Sequence, residues 1–425
     1  EGEERMTTTK PFDISKRLVW EAYKRVKANA GAAGVDGQSL EDFERSLTNN
    51  LYRIWNRMAS GSYFPSPVKA VSIPKKAGGK RTLGIPTVAD RIAQTVVKQV
   101  LEPQLEPHFH ADSYGYRPGK SAHQALAVTR QRCWWHAWVL EFDIRGLFDN
   151  IDHGLLMKAV RHHTDCSWVL LYTGRWLTAP LQGENGSTNN RDKGTPQGGP
   201  LSPLLANLFL HYAFDRWMTT HHSDVPFCRY ADDGVIHCRT ESHARYMKNQ
   251  LAQRLKECGL ELHPDKTHMV YCKDQHRKLE HDIIQFDFLG FNFRPRRSND
   301  RHGQAFTNFS PALSRPAAKS MRQTIRSWKL QLKSDKSIED LAIMFGPRIQ
   351  GWIEYYCRFY RSAFWAIAHH LNRTLVRWAM RKYKRFRGHQ TRAWQWLADQ
   401  VKRRPGLFPH WRAGFVPYAG PMGAR

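Results

Sequence analysis

Two adjacent acids stand where the chain has to turn. Residues 225–230 and 235–238 are short, largely apolar runs, and Ala231-Asp232-Asp233-Gly234 lies between them. Runs of this length, split by an Asp-Gly dipeptide, predict an antiparallel hairpin. A third acid, Asp143, closes another apolar run, 138–142, which reads as a buried strand. Strand-end acids 89 residues apart can be gathered by one sheet. Clustered carboxylates repel one another and need a cation. Hard oxygen donors that leave room for water and phosphate suit Mg²⁺. Alone, Asp232-Asp233-Gly234 is ordinary chemistry for a solvated turn, so the neighbouring sequence has to decide.

Charge narrows the partners. The 425 residues hold 65 Lys and Arg against 38 Asp and Glu, a net +27. The surplus is uneven, because residues 311–425 carry 23 cations against 5 acids, a net +18. Such a segment points to a polyanion, since cations at phosphates release condensed counterions. No apolar run reaches the ~18–20 residues of a membrane span. Seven scattered cysteines with no C-x-x-C argue against a disulfide framework or a zinc site. The length suggests two to four domains.

The pattern along the chain is mixed. Helical spacing at 12–28 ends in a Gly-rich loop, 29–37, and a second helix follows around Leu47–Met58. Residues 68–74 and 82–86 are extended pieces flanking a basic turn, 75–81. Residues 90–101 read as a helix, and so do 201–214, behind a Gly/Pro turn. Residues 286–293 read as a strand with Gly290 at its centre. The Arg/Asn/Gly-rich stretch 294–303 reads as a linker, and from 311 to about 386 the period is helical. There, seven Trp from Trp328 to Trp411 alternate with Arg and Lys. Bases stack on aromatics and phosphates meet cations in RNA binding, although most of these Trp are expected to be core.

Several motifs, in one order, resemble a known family. Phe-Cys-Arg-Tyr-Ala-Asp-Asp (227–233) resembles the Y-x-D-D box of reverse transcriptases. Phe142-Asp-Ile-Arg-Gly-Leu-Phe-Asp-Asn-Ile-Asp-His153 resembles their first palm motif. Gly194-Thr-Pro-Gln-Gly-Gly-Pro-Leu-Ser-Pro-Leu-Leu-Ala-Asn207 resembles the next. Ile73-Pro-Lys-Lys76 with Arg81-Thr-Leu-Gly-Ile-Pro-Thr87 is similar to the fingers. Ser113-Tyr-Gly-Tyr-Arg-Pro-Gly119 and Phe288-Leu-Gly-Phe291 also match. The wording is that of bacterial group II intron reverse transcriptases (maturases). The loop 29–37 fits that group's extra N-terminal region, and Gly351-Trp-Ile-Glu-Tyr-Tyr356 fits its maturase-specific thumb. The resemblance covers about 20–383.

It implies an α+β right-hand polymerase with fingers, a palm built on an antiparallel sheet and an α-helical thumb. Residues 1–10 would be a tag remnant or disordered N-terminus, 11–137 the N-terminal extension and fingers, and 138–298 the palm with finger insertions around 155–195. Residues 299–388 would be the thumb and 389–425 a short basic DNA- or RNA-binding segment. Asp143, Asp232 and Asp233, with the backbone of Ile144, would hold two Mg²⁺ ions, or Mn²⁺ in their place. Lys75, Arg81 and Gln197 would hold the incoming dNTP, Gly198 and Gly199 would let backbone approach it, and Phe148 would exclude a 2′-hydroxyl. Tyr230, Gly290, Phe291 and Arg117 would support primer or template. Arg381, Lys382, Lys384, Arg385 and Arg387 would bind RNA. The implied activity is RNA-directed DNA synthesis, associated with splicing and mobility of a group II intron RNA in the bacterial cytoplasm, with target DNA as a further partner. No Cys pairs follow the thumb, so a form without the H-N-H nuclease is expected. A splicing cofactor with secondary polymerase activity, or a domesticated enzyme of defence or repair, remain alternatives.

Overall fold

The computed structural model describes residues 10–74, 79–299 and 302–417. Its strands are β1 (Val68–Pro74), β2 (Lys80–Ile85), β3 (Trp138–Asp143), β4 (Leu181–Gln182), β5 (Thr188–Asn189), β6 (Phe227–Tyr230), β7 (Asp233–Cys238), β8 (His268–Tyr271), β9 (Phe286–Phe288), β10 (Phe291–Asn299) and β11 (Ala305–Leu313). The chain divides into two compact units, Glu1–Ala125 with Leu140–His268, and Leu126–Val139 with Met269–Arg425.

In the first unit, β1 and β2 pair antiparallel from Lys69↔Ile85 to Pro74↔Lys80. The basic turn expected between them, Lys75 included, lies outside the described residues. β4 adds to β1 in parallel at Val68↔Leu181 and β5 follows, so the stretch expected as a finger insertion extends the β1–β2 sheet. Beside it runs the helix Val88–Leu105, whose Ile92, Ala93, Val96, Val97 and Leu101 are fully buried. Asp90, also buried, accepts hydrogen bonds from Tyr63, Thr87, Trp176 and the Ser66 amide, which satisfies a carboxylate that burial would otherwise disfavour. Arg91 donates to the carbonyls of Ala30 and Ala32 and pins the N-terminal loop onto this helix.

The other sheet has the order β6-β7-β3-β8, with β3 and β8 contributing residues to each unit. β6 and β7 pair from Phe227↔Ile236 to Tyr230↔Asp233, so the two-residue turn is Ala231-Asp232. Its first position, Ala231, is left-handed at φ 57°. The hairpin forms where the sequence predicts it, but the turn comes earlier than the Asp-Gly dipeptide suggests. Gly234 is a strand residue, and its need is steric: a Cβ there would come 2.3 Å from the Phe142 ring.

The second unit corrects two expectations. Leu289 (φ 50°) and Gly290 (φ 80°) are both left-handed and form the turn of a β9–β10 hairpin, so 286–293 is not one strand. The expected linker 294–303 lies largely in a second hairpin, in which β10 and β11 pair from Phe291↔Leu313 to Asn299↔Ala305, while residues 300 and 301 lie outside the description. Phe291 and Phe293 are buried while Arg294 is exposed, an alternation that the Arg-rich composition hides. The expected palm–thumb boundary at 298 therefore falls inside a hairpin. Helices Arg315–Ser327, Ile338–Tyr356, Trp365–Lys382 and Gln390–Arg403 pack around Ile325, Leu341, Leu371, Trp378 and Trp411. Trp378 and Trp411 are core, with indole N–H groups donating to the Lys333 carbonyl and Asn372.

One buried cation holds the acidic turn. Arg229, on β6, is 0% exposed and commits its whole guanidinium to protein acceptors. It bonds both Asp215 oxygens at 2.7 and 2.5 Å, Asn207 Oδ1 and the Ala231 carbonyl at 3.1 Å, and Ser113 Oγ at 2.8 Å. Asn207 also donates to the Gly115 carbonyl, and a Cβ on Gly115 would lie 2.5 Å from the Ala231 nitrogen. Three chain segments thus converge on the turn. Replacing Arg229 by Met would leave Asp215 buried and unpaired, so stability should fall by about 3–5 kcal/mol. Chemical denaturation of Arg229→Met reads this, and a loss below about 1 kcal/mol would contradict the role.

Candidate active site

The three sequence-predicted acids lie at one edge of the first unit. Asp143 ends β3 and is 7% exposed. Its carbonyl accepts from the His263 amide, and Arg145 N–H donates to the Glu261 carbonyl. Ile144, between them, pairs with Leu262 without exchanging these bonds, so its own carbonyl faces away from that segment. Asp232 occupies the turn and Asp233 opens β7.

Their electrostatics follow from burial first and from crowding second. Asp232 is pushed above the ordinary carboxylate range, by burial first and by the Asp143 charge, against the pull of its own backbone hydrogen bond, Lys266 and Arg81. Asp233 is pushed up to about 7, by burial first, then by Asp232 and Asp143. Water still reaches the Asp233 side chain, so desolvation is partial and the neighbouring charges complete the shift. Lys266 donates to the Asp143 carboxylate, a contact that lifts the Lys266 pKa. A cation already stands on this cluster, and it neutralises one charge of three. Among the described residues no three His, Cys, Asp or Glu side chains converge as a finished ligand set. The donors nevertheless fit a hard divalent ion: they are all oxygen, mutually repelling, and only partly neutralised.

The residues expected to meet a nucleotide are stitched to the same unit. Arg81 is exposed on β2, opposite Ile73. Gly84 N–H donates to the Gln197 carbonyl at 2.8 Å. Gly198 has φ 132°, and a Cβ on it would lie 2.4 Å from the Gly84 oxygen, so the Gly/Pro turn and β2 touch through backbone. Phe148 is half-buried, and its carbonyl accepts from Thr195 N–H at 2.7 Å. Gln197 and Phe148 are therefore joined through residues 194–197.

Other expectations change. Arg117 does not reach outward for a template. Its donors go to Glu106 and to the carbonyls of His110 and Ser113, and its side chain is 6% exposed. Lys382 donates to the carbonyls of Ser334 and Lys336, so it ties helix to loop, whereas Arg381, Lys384, Arg385 and Arg387 are exposed. In the second unit Phe291 is fully buried against Tyr355, Tyr356 and Phe359, and Tyr355 donates to the Leu289 carbonyl. Of its two expected roles, packing and primer support, Phe291 fills the first. Gly290 packs under Tyr356, where a Cβ would sit 3.0 Å from the hydroxyl. Tyr230 is half-buried opposite Asp233. Sequence reasoning missed Lys266, which no motif marks, and Arg229. The latter left a signal, because an Arg inside an apolar strand must be paired.

Comparison with known proteins agrees. Residues 73–293 match the family Reverse transcriptase (RNA-dependent DNA polymerase), and residues 318–396 match the Group II intron, maturase-specific domain. Protein YkfC of Escherichia coli (strain K12) is 30% identical over 350 residues, 72% of this chain and 87% of that protein. The group II intron-encoded protein LtrA of Lactococcus lactis subsp. cremoris is 36% identical over 197 residues, which span 46% of this chain and 32% of LtrA. A telomerase structure from Candida albicans aligns at 12% identity and a TM-score of 0.45, over 90% of this chain and 68% of that one. The polymerase match spans more than half of the chain, and the chain belongs to the reverse transcriptase family, as an RNA-directed DNA polymerase of the group II intron maturase kind.

Proposed function

We propose that the chain extends a DNA primer on an RNA template with two Mg²⁺ ions and deoxynucleotides, and that the RNA it serves is a structured intron RNA. The observation that supports this most is the cluster of Asp143, Asp232 and Asp233, in which burial first and then the neighbouring charges raise the pKa values of Asp232 and Asp233. These carboxylates and the Ile144 carbonyl would hold the ions, with Mn²⁺ able to substitute. Bound ions of this kind activate the attacking hydroxyl and stabilise the leaving pyrophosphate. Lys266 would keep Asp143 neutralised in the metal-free protein. Arg81, with Lys75, would grip the triphosphate, as a fork and a point charge respectively. Gln197 would line the nucleotide pocket, and the Phe148 ring would exclude a 2′-hydroxyl.

In this reading the β1–β2 hairpin belongs to the fingers, β6, β7 and the end of β3 to the palm, and the helices from Arg315 onward to the thumb. Arg381, Lys384, Arg385 and Arg387 would hold RNA, and the basic stretch from 389 would meet RNA or target DNA. Assistance to intron splicing is a second activity, supported by the maturase-specific match.

Primer extension tests the catalytic reading. Wild type should extend a DNA primer on RNA with Mg²⁺ and dNTPs, and Asp232→Asn should be slower by roughly 10²-fold or more. Equal rates would remove the acids from the chemistry. Phe148→Ala should reduce discrimination against ribonucleotides by roughly 10–200-fold, read as a ratio of kcat/KM values, and unchanged discrimination would end the gate role.

Titration gives an independent check. Asp233 holds its proton up to about 7 in the folded protein, whereas in the unfolded chain it ionises near about 4. Between these values the folded state binds more protons, so metal-free stability falls as pH rises through the window. Mg²⁺ relieves a repulsion that exists only once the acids ionise. The rise in Tm on adding Mg²⁺ should therefore be larger near pH 8 than near pH 5.5, and smaller in Asp233→Asn. A Mg²⁺ effect that ignores pH, or that survives intact in the variant, would contradict the assignment.

A further inference from the structure

The second unit contains a basic cavity that the polymerase reading leaves unused. It has a volume of about 460 Å³ and is lined by Arg326, Gln331, His370, Arg373, Thr374 and Arg377, with Ile325 at its wall. Arg326 comes from the helix Arg315–Ser327, Gln331 from the short turn Leu330–Leu332, and the others from the helix Trp365–Lys382. The spacing of His370, Arg373, Thr374 and Arg377 puts them on one helical face.

The charge in this cavity is uncompensated. Neither of the two helices contains an acidic residue. The five acids of residues 311–425 are engaged elsewhere: Asp335 with Lys336, Glu339 with Arg404, Asp340 with the Ser337 amide, Glu354 with Gln350 and Asp399 with Lys402. Among the described residues no carboxylate pairs with Arg326, Arg373 or Arg377. The wall also holds an orphan, since His370 Nε2 is buried with no hydrogen-bond partner. Thr374 makes its own hydrogen bond elsewhere, its hydroxyl donating to the His370 carbonyl. Burial and four surrounding guanidiniums, those of Arg326, Arg322, Arg377 and Arg373, hold the His370 pKa down. A buried polar atom without a partner leaves a place for one, and the surrounding guanidiniums favour an anion there.

We propose that this cavity binds neighbouring phosphate groups, with the forks of Arg326, Arg373 and Arg377 on their oxygens and His370 Nε2 on one of them. Arginine suits the task because its planar fork meets two phosphate oxygens at once. Arg373 and Arg377 are one turn apart, about 5–6 Å between Cβ atoms, which favours two linked phosphates over one isolated ion. Two sources share this chemistry: successive phosphates of a sharply bent RNA backbone, and a free polyphosphate. The RNA source rests on the RNA-handling reading above. The site differs in kind from the exposed cations of 381–387, because a concave, partly desolvated site selects shape as well as charge.

The test uses the full chain and three probes: a group II intron RNA transcript, pyrophosphate and tripolyphosphate. Two variants separate charge from shape. Arg373→Ala/Arg377→Ala removes two forks, and Gln331→Trp fills the cavity without changing charge. If the RNA backbone is the ligand, both variants weaken transcript binding roughly 10–100-fold, and in the Arg pair the salt slope of log Kd becomes shallower by about 2. If free polyphosphate is the ligand, both variants abolish the Tm increase given by pyrophosphate or tripolyphosphate and leave transcript binding unchanged. The proposal is overturned if Gln331→Trp matches wild type with every probe, since the Arg pair would then act only as dispersed charge. It is equally overturned if neither variant changes anything. Primer extension at saturating template should stay at the wild-type rate in both variants, which verifies folding. A failure of the polymerase reading would appear in Asp232→Asn, not here.

Discussion

The repulsion among three carboxylates is the constraint around which the first unit is arranged. Burial first, and then the neighbouring carboxylate charges, raise the proton affinity of Asp232 and Asp233, so the unliganded fold is working against itself at this point. What holds them is a buried counter-network set one layer back. Arg229 grips the Ala231 carbonyl from inside, and Asp215, Asn207 and Ser113 fix Arg229. The pairing is tight because every donor of a desolvated guanidinium must be satisfied. The acids are therefore presented by a rigid frame and not by a mobile loop. A site that positions reacting groups by electrostatics requires that rigidity, because such stabilisation depends on not having to reorganise.

The separation of charge follows the same logic at larger scale. Most of the net +27 belongs to residues past 310, where acids are scarce. The acidic cluster sits in a unit of nearly balanced composition, where a few cations can be assigned to particular acids: Lys266 to Asp143, Arg229 to Asp215, Arg117 to Glu106. In the basic unit the cations outnumber possible partners, and part of the excess collects around a cavity. Bundle packing around Trp378 and Trp411 supplies the hydrophobic core there. The surface cations are then left free of structural duty, with exceptions such as Lys382.

How legible this is depends on the range of the information. The acids, the β1–β2 hairpin and the helices from Arg315 onward are readable because each is marked locally, by a turn dipeptide, a strand end or a helical period. The β10–β11 hairpin is not. Its Arg294-Pro295-Arg296-Arg297 run has the composition of a linker, and only pairing with β11 reveals Phe291 and Phe293 as one buried face. Arg117 and Lys382 mislead for a related reason. A cation in a motif or a basic block looks available until the carbonyls that it caps are seen, and those carbonyls carry no sequence signal. Lys266 is invisible in the sequence because its partner lies 123 residues away.

Backbone strain falls at some of the same places as the motifs. Left-handed conformations in non-glycine residues cost roughly 1–2 kcal/mol each. Among the described residues they occur at Ala30, Tyr116, Ala231, Leu289 and Lys329, and Tyr116, Ala231 and Leu289 lie inside family-like boxes. Glycine would remove the cost at Ala231. It would also add freedom to the turn that carries Asp232, where the carboxylates already push outward. An alanine held at φ 57° by Arg229 and abutted by Gly115 gives a stiffer mount. At the other turn Leu289 likewise takes the first left-handed position, and glycine takes the second, where a Cβ would press against the Tyr356 hydroxyl. Glycine is thus placed where a neighbour presses close, and strain is tolerated where a rigid turn must hold repelling charges.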